Sequence, residues 1–197
     1  MSFSTVCVFC GCSDQIPQPY LEAAKEMGVV LAEKNLTLVY GGGRTGMMGV
    51  LADAVLENGS RVIGVIPEKF NNSTLAHQNI TEMHVVKDMH QRKAKMISMS
   101  EAFIALPGGY GTFEELLEVL TWAQIGIHER PVAILNTKGY FDPLLHLIER
   151  ARSEGFIYHE HQGLLIHNTH PHPLLEAMNR YNPPEGLSRW VDREVFK

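Results

Sequence analysis

The residue types best suited to chemistry lie together in residues 105–115, where a proline and three glycines lead into two glutamates. β-type residues at 102–106 stop at Pro107, and an apolar pattern with helical spacing starts at Thr112. The pattern predicts a strand, a tight turn and a helix whose first N–H groups face the turn. Such N–H groups bind anions, above all phosphate, and glycines let a ligand approach the backbone closely.

The adjacent glutamates Glu114 and Glu115 have two interpretations. If the helix starts at Thr112, both carboxylates lie in its first turn, where they stabilise the helix dipole and need no functional role. Alternatively, one carboxylate lies beside a phosphate-bearing ligand on the turn and acts on a bond nearby. The two residues point about 100° apart around a helix, so they cannot share one role.

A phosphate on this turn needs a guanidinium group as well. A helix dipole contributes about 0.3–1 kcal/mol to anion binding, whereas a hydrogen bond to a charged group contributes about 1.5–3 kcal/mol. Arg92 lies near the start of a predicted helix at 89–100, which precedes the strand at 102–106. Without the other features, it would be interpreted as an exposed helix arginine.

Composition predicts one globular domain over residues 1–197, since 45% of the residues are apolar. The net charge is −5 and the basic residues do not cluster, which argues against a nucleic-acid partner. Neither an apolar run long enough for a membrane span nor a secretory signal pattern is found, so we expect a cytoplasmic protein with no membrane partner.

Two clusters of metal-binding residue types are present. Cys7 and Cys10 have metal-like or redox-like spacing, but they lie in a predicted strand without a second pair, so buried free thiols and a reducing compartment are favoured. Five histidines near the C-terminus lack helical i,i+4 pairs and are interpreted as loop residues rather than ligands; they are His159, His161, His167, His170 and His172. We therefore expect no metal site.

Short apolar strands alternate with helical patterns along the chain. Strands are predicted at 5–10, 36–40, 61–67, 83–86, 103–106 and 131–135, with a short extended piece at 164–166; helices are predicted at 19–34, 47–58, 89–100, 112–124, 142–154 and 173–180, with Asp142 as an N-cap. This alternation predicts an α/β fold, a doubly wound parallel sheet with helices on both faces. Ligands bind at the carboxyl ends of such strands, where the turns at 11–14, 41–46 and 107–112 should meet.

The predicted helix at 112–124 is apolar almost all round. Only one side of it can face its own sheet, so the other side must be buried elsewhere. We expect a two-fold homodimer interface on this helix; the alternative is a neighbouring helix of the same chain.

Three motifs, at residues 89–93, 107–115 and 121–128, resemble those of the LOG ("lonely guy") family of cytokinin riboside 5′-monophosphate phosphoribohydrolases, which are often mislabelled as lysine decarboxylases. The resemblance implies a Rossmann-like dimer without a cofactor. Such a dimer hydrolyses the N-glycosidic bond of AMP or an N6-modified AMP to free base and ribose 5-phosphate. Cys12 and Thr74 stand where many members have Ser and Glu, and this difference bears on base preference more than on the reaction.

The resemblance also implies residue roles. Arg92 and Glu115 correspond to the catalytic pair of the family. The phosphate-binding turn of the family corresponds to Gly108, Gly109, Tyr110, Gly111 and Thr112. Its further substrate contacts correspond to Lys93, Glu114 and Thr121. Cleavage of a C1′–N bond passes through an oxocarbenium-like sugar. A carboxylate such as Glu115 can stabilise its positive charge, activate water or attack it directly, and we favour one of the first two roles.

Two other functions compete with this one. The first is a non-catalytic nucleotide-binding or carrier module on the same fold. The second is a pyridoxal-phosphate lysine decarboxylase, which needs a Schiff-base lysine such as Lys93 or Lys95 and a ring-binding pattern that their helix lacks. The glycine turns match neither the Walker motif nor the dinucleotide fingerprint, so no nicotinamide cofactor is implied.

Overall fold

The computed structural model describes residues 3–187, which form a sheet of seven strands in the order β4-β3-β2-β1-β5-β6-β7. Every neighbouring pair of strands is parallel. The strands are β1 Thr5–Phe9, β2 Thr37–Tyr40, β3 Val62–Pro67, β4 Glu82–Val86, β5 Ala102–Ala105, β6 Val132–Leu135 and β7 Leu165–Asn168. The predicted doubly wound parallel sheet is confirmed.

Six α-helices cover the two faces of this sheet within residues 3–187. They are α1 Gln18–Glu33, α2 Gly46–Glu57, α3 Met89–Ser98, α4 Tyr110–Gln124, α5 Asp142–Ser153 and α6 Pro171–Asn179. Helices α1, α2 and α6 pack into one apolar core, and α3, α4 and α5 pack into the other. None of the described helices is long and apolar enough to cross a membrane.

Strand β1 shows why the central strands are apolar on both faces. Val6 and Val8 point into one core, while Cys7 and Phe9 point into the other. Both faces are covered by helices, so the four buried positions from Val6 to Phe9 are all apolar. The cysteines are free, as predicted; Cys7 is buried, Cys10 is half-buried, and Cys12 is exposed in the turn beyond the strand.

The chain order reverses between β1 and β5, which lie side by side at the centre of the sheet. The three predicted turns meet there. The Gly11 N–H donates to the Pro107 carbonyl at 3.0 Å, the Met47 N–H donates to the Gly11 carbonyl at 3.0 Å, and the Thr45 hydroxyl donates to the Cys12 carbonyl at 2.8 Å. Such a switch point leaves a crevice between neighbouring turns, where ligands bind in folds of this type.

Helix α6 starts at Pro171, two residues before its predicted start, and two other helix starts change an interpretation. Helix α4 begins at Tyr110, two residues early, so Glu114 and Glu115 lie beyond the first turn and the helix-dipole interpretation of them is wrong. The N-cap of α5 is Phe141 and not Asp142. The Asp142 carboxylate instead accepts a hydrogen bond from the Asn136 side chain at 2.7 Å, and this bond takes the place of capping.

His128 is buried just beyond the end of α4. Its Nε2 lies 2.9 Å from the Val119 carbonyl and its Nδ1 accepts from the Arg130 N–H at 3.1 Å, so the ring is neutral with its proton on Nε2. Burial, helped by the Arg130 charge, lowers the pKa of His128 from 6.5 to about 4. The unfolded chain therefore binds a proton more readily than the folded protein between these values.

We expect His128→Gln to flatten the acid side of the stability profile. In the wild type, stability from neutral His128 is complete above about pH 6.5 and is lost as the pH falls towards 4, a change of about 3 kcal/mol. Urea unfolding of both proteins between pH 7 and 4 measures this difference. Equal pH dependence in the two proteins would show that His128 does not contribute.

Candidate active site

A cavity of about 290 Å³ opens at the carboxyl ends of β1 and β5. Arg92 of α3 and Glu115 of α4 are its charged lining residues, and Met48 and Met96 provide apolar wall. Four residues of the predicted phosphate turn also line it, namely Gly109, Tyr110, Gly111 and Thr112. Gly108 lies behind them, in the wall of a neighbouring cavity.

Arg92 and Glu115 form an ion pair inside this cavity. Nη2 of Arg92 lies 2.8 Å from Oε1 of Glu115, and the two side chains are 16% and 10% exposed. Two helix starts bring them together. Asp88 caps α3 by accepting from the Gln91 N–H at 2.9 Å, and α4 starts at the end of β5, which lies beside β1.

The surroundings of Glu115 favour a basic carboxylate. Burial raises the pKa of Glu115 above 4.5, although the Arg92 cation opposes the shift. The Nε of Arg92 is buried and finds no hydrogen-bond partner among residues 3–187. The pair therefore combines a poorly solvated carboxylate with a guanidinium that has a donor to spare for a ligand.

The N-terminus of α4 suits a phosphate group. Gly109 caps the helix without a side-chain hydrogen bond, and the first turn holds no acidic residue. The N–H groups of Tyr110, Gly111 and Thr112 precede the first intrahelical bond, which runs from the Phe113 N–H to the Gly109 carbonyl at 3.0 Å. Unpaired N–H groups and a helix dipole of this kind are suited to binding an anion at the cavity wall.

At two glycines near the pair, an added Cβ would collide with neighbouring side chains. A Cβ at Gly108 would collide with the Thr112 hydroxyl, which the tight turn brings against its backbone. A Cβ at Gly41 would lie 2.6 Å from Nη2 of Arg92 and 2.6 Å from Cε of Met48. The predicted turn at 41–46 thus contributes the surface on which the Arg92 guanidinium rests.

We expect Gly41→Ala to lower kcat/KM by about 10²-fold while the protein remains folded. The added methyl group pushes the flexible end of Arg92 away from Glu115, and a misplacement of about 1 Å has an effect of this size. Activity assays and thermal unfolding measure the two properties separately. Gly163→Ala is the control, since its nearest neighbour would be 3.8 Å away. Unchanged kinetics in Gly41→Ala would contradict this role of Gly41.

Three predicted substrate contacts lie outside the cavity lining. Lys93 makes an ion pair with Glu114 and another, at 3.0 Å, with Glu118, which braces α3 against α4. Burial alone would lower the pKa of Lys93, but hydrogen bonds and charges from the two glutamates outweigh it and raise the pKa. Thr121 is exposed, about 9 Å along α4 from Glu115, and its hydroxyl donates to the Leu117 carbonyl at 2.7 Å.

Some residues in and around the site were not predicted from the sequence. Glu118 lies one helical turn after Glu114, so the i,i+4 spacing could have indicated that both glutamates lie on one face of α4, where both pair with Lys93. Met48 and Met96 gave no signal, since methionine at helical spacing is typical of any core. Within residues 3–187, no three His, Cys, Asp or Glu side chains come together as a metal site, and the histidines at 159–172 form none.

Known proteins resemble this chain along most of its length. A family model described as "Possible lysine decarboxylase" matches residues 48–178. The probable cytokinin riboside 5′-monophosphate phosphoribohydrolase LOGL2 of Oryza sativa subsp. japonica is 48% identical over 181 residues, which cover 92% of this chain and 74% of that protein. The cytokinin riboside 5′-monophosphate phosphoribohydrolase LOG4 of Arabidopsis thaliana is 47% identical, with 92% and 84% covered.

Solved structures resemble the fold at lower identity. The molybdenum cofactor binding protein from Rippkaea orientalis has a TM-score of 0.69 and 20% identity, with 91% of this chain and 97% of that chain covered. The molybdenum cofactor carrier protein of Chlamydomonas reinhardtii has a TM-score of 0.68 and 19% identity, with 89% and 96% covered. These structures share the Rossmann-like fold, whereas the sequence relatives establish the family. The chain belongs to the LOG family of cytokinin riboside 5′-monophosphate phosphoribohydrolases.

Proposed function

We propose that this protein hydrolyses the N-glycosidic bond of a purine nucleoside 5′-monophosphate, AMP or an N6-modified AMP, to free base and ribose 5-phosphate. The observation that carries the proposal is the buried pair of Arg92 and Glu115, 2.8 Å apart, beside the N-terminus of α4. The names of the relatives at 47–48% identity support the reaction and the substrate class.

Each part of the site has a task in this reaction. The N–H groups of 109–112 bind the 5′-phosphate, and Arg92 holds the ribose or phosphate with its remaining donors. The C1′–N bond breaks as positive charge develops on the sugar, and the Glu115 carboxylate stabilises that charge or takes a proton from water. The water oxygen bonds to C1′, and the departing base gains a proton, so atoms and charges balance.

The wider substrate contacts remain part of the proposal. Lys93, Glu114 and Thr121 are proposed to reach the substrate from the edge of the cavity, although Lys93 and Glu114 are paired with each other in the chain described. We also propose that residues 1–197 act as a single domain in the cytoplasm. Three free cysteines, one of them exposed, support a reducing compartment.

A homodimer is proposed through the outer face of α4. Leu116 and Val119 are buried in the core against the sheet and Ala123 is buried against Leu164 and Leu187, while Leu117 is 44% exposed and Ile127, beyond the helix, is 60% exposed. A second copy of the same face would cover these side chains across a two-fold axis.

The test is a panel of 5′-monophosphates, each paired with its nucleoside, incubated with the protein and separated by HPLC. We expect base and ribose 5-phosphate in equal amounts from purine monophosphates and far less base from the nucleosides. Binding of AMP without release of adenine would instead support a nucleotide carrier. Release from nucleosides as fast as from nucleotides would contradict the phosphate site.

Lysine decarboxylation is disfavoured by the position of Lys93. A Schiff-base lysine needs a free neutral amine facing its cofactor, whereas the Lys93 ammonium is held by two glutamates that raise its pKa. Lys95 is exposed on α3 and does not line the Arg92–Glu115 cavity.

A further inference from the structure

Tyr140 contacts the glycine turn from a different part of the fold. It lies between β6 and α5, and its hydroxyl donates a hydrogen bond to the Gly108 carbonyl at 2.5 Å. It lines the cavity of about 430 Å³ on the far side of the turn from the Arg92–Glu115 pair. The sequence motifs that indicate the substrate do not include it.

The Tyr140 ring is fixed by aromatic neighbours, so its hydroxyl has a defined position. Its centroid lies 5.8 Å from that of Tyr20 and 5.1 Å from that of Phe141, both edge-on, and it stacks on Phe113 at 6.4 Å. Phe113 belongs to the first turn of α4. Tyr140 therefore holds both the turn and the start of the helix that follows it.

The hydrogen bond sets the orientation of one peptide group. The carbonyl and the N–H of a trans peptide point in opposite directions, so a Gly108 carbonyl held by Tyr140 turns the Gly109 N–H away from Tyr140. Gly109 lines both cavities, and the cavity opposite Tyr140 is the one that contains Arg92 and Glu115. On the preceding residue, the Pro107 carbonyl is held by the Gly11 N–H at 3.0 Å. Two successive carbonyls of the turn are thus fixed by hydrogen bonds within the protein.

We propose that Tyr140 is a positioning residue for substrate phosphate: it holds the 108–109 peptide with its N–H towards the 5′-phosphate and so favours nucleotides over nucleosides. The inference rests on the proposed function, because it assigns the turn to the phosphate of that substrate. Tyr140 itself touches neither the sugar nor the base in this account. Its effect is therefore confined to ligands that carry the phosphate.

The test is Tyr140→Phe, which removes the hydroxyl and keeps the ring, with Tyr20→Phe as the matched control from the same aromatic cluster. We expect KM for AMP to rise about tenfold in Tyr140→Phe, with kcat within about twofold, because one hydrogen bond is lost without a change at the reacting atoms. The kcat/KM for adenosine and all constants of Tyr20→Phe should stay unchanged. An unchanged KM for AMP, or equal losses for AMP and adenosine, would overturn the proposal.

Calorimetric binding of AMP and adenosine separates this inference from the proposed function. If the wild type binds AMP but releases no adenine, the hydrolase assignment fails, yet a tenfold weaker binding of AMP alone by Tyr140→Phe still supports the positioning role. If AMP and adenosine bind the wild type equally well, the phosphate has no site on the turn and the positioning role is overturned.

Discussion

Glu115→Gln is expected to lower kcat for base release by about 10³-fold while nucleotide binding stays within about threefold. Glutamine keeps the size of the side chain and can still contact Arg92, but it carries no charge to stabilise the oxocarbenium-like sugar and cannot take a proton from water. Initial rates of base release and calorimetric binding of AMP, measured on the same preparation, give the two quantities independently.

Two variants control for this result. Glu115→Asp keeps the charge but withdraws it from the cavity, and it should retain more activity than Glu115→Gln. Glu176→Gln removes an exposed carboxylate on α6, across the sheet from the site, and should behave as wild type. Turnover by Glu115→Gln within tenfold of the wild type would rule out a catalytic role for the carboxylate.

Arg92→Ala is expected to lose both binding and turnover. Loss of charge-assisted hydrogen bonds of about 1.5–3 kcal/mol should weaken AMP binding by about 10–100-fold. The change also leaves Glu115 buried without its cation, so the pKa of Glu115 rises further and less of the carboxylate is ionised at neutral pH. Binding and kcat are measured between pH 6 and 9. The activity of Arg92→Ala should recover partly as the pH rises.

Arg92→Lys is the matched comparison, because it keeps a positive charge without the planar fork of donors. It should bind AMP better than Arg92→Ala but remain well below the wild type in turnover. Thermal unfolding of all three proteins checks that the site changes and not the fold. Wild-type binding by Arg92→Ala would show that the guanidinium does not contact the nucleotide.

The sheet could be predicted from the sequence because its signals are local and repeated. Each strand is a short apolar run ended by glycine, proline or polar residues, and parallel sheets buried on both faces require such runs. The meeting of three glycine turns followed from topology alone. Arg92 and Glu115 are 23 residues apart in sequence and meet because they lie on the two helices that flank β5 along the chain. Their proximity was predicted from the motifs of the family and not from any local pattern.

Other features depend on tertiary contacts that no local pattern encodes. Helix α4 starts at Tyr110 and not Thr112, with Gly109 as its N-cap, so it includes Gly111, which the sequence pattern assigns to the turn. The bond from Tyr140 to Gly108 joins residues 32 apart, and only the three-dimensional arrangement of β5 and β6 brings them together.

A crystal structure of Glu115→Gln with a bound purine nucleoside 5′-monophosphate tests the central claim most directly, since the variant should hold the intact substrate. We expect the phosphate on the N–H groups of 109–112, a hydrogen bond from Arg92 to the ribose or phosphate, and C1′ within about 4 Å of the side chain at position 115. A nucleotide whose C1′ lies away from position 115, or whose phosphate lies away from the glycine turn, would contradict the account.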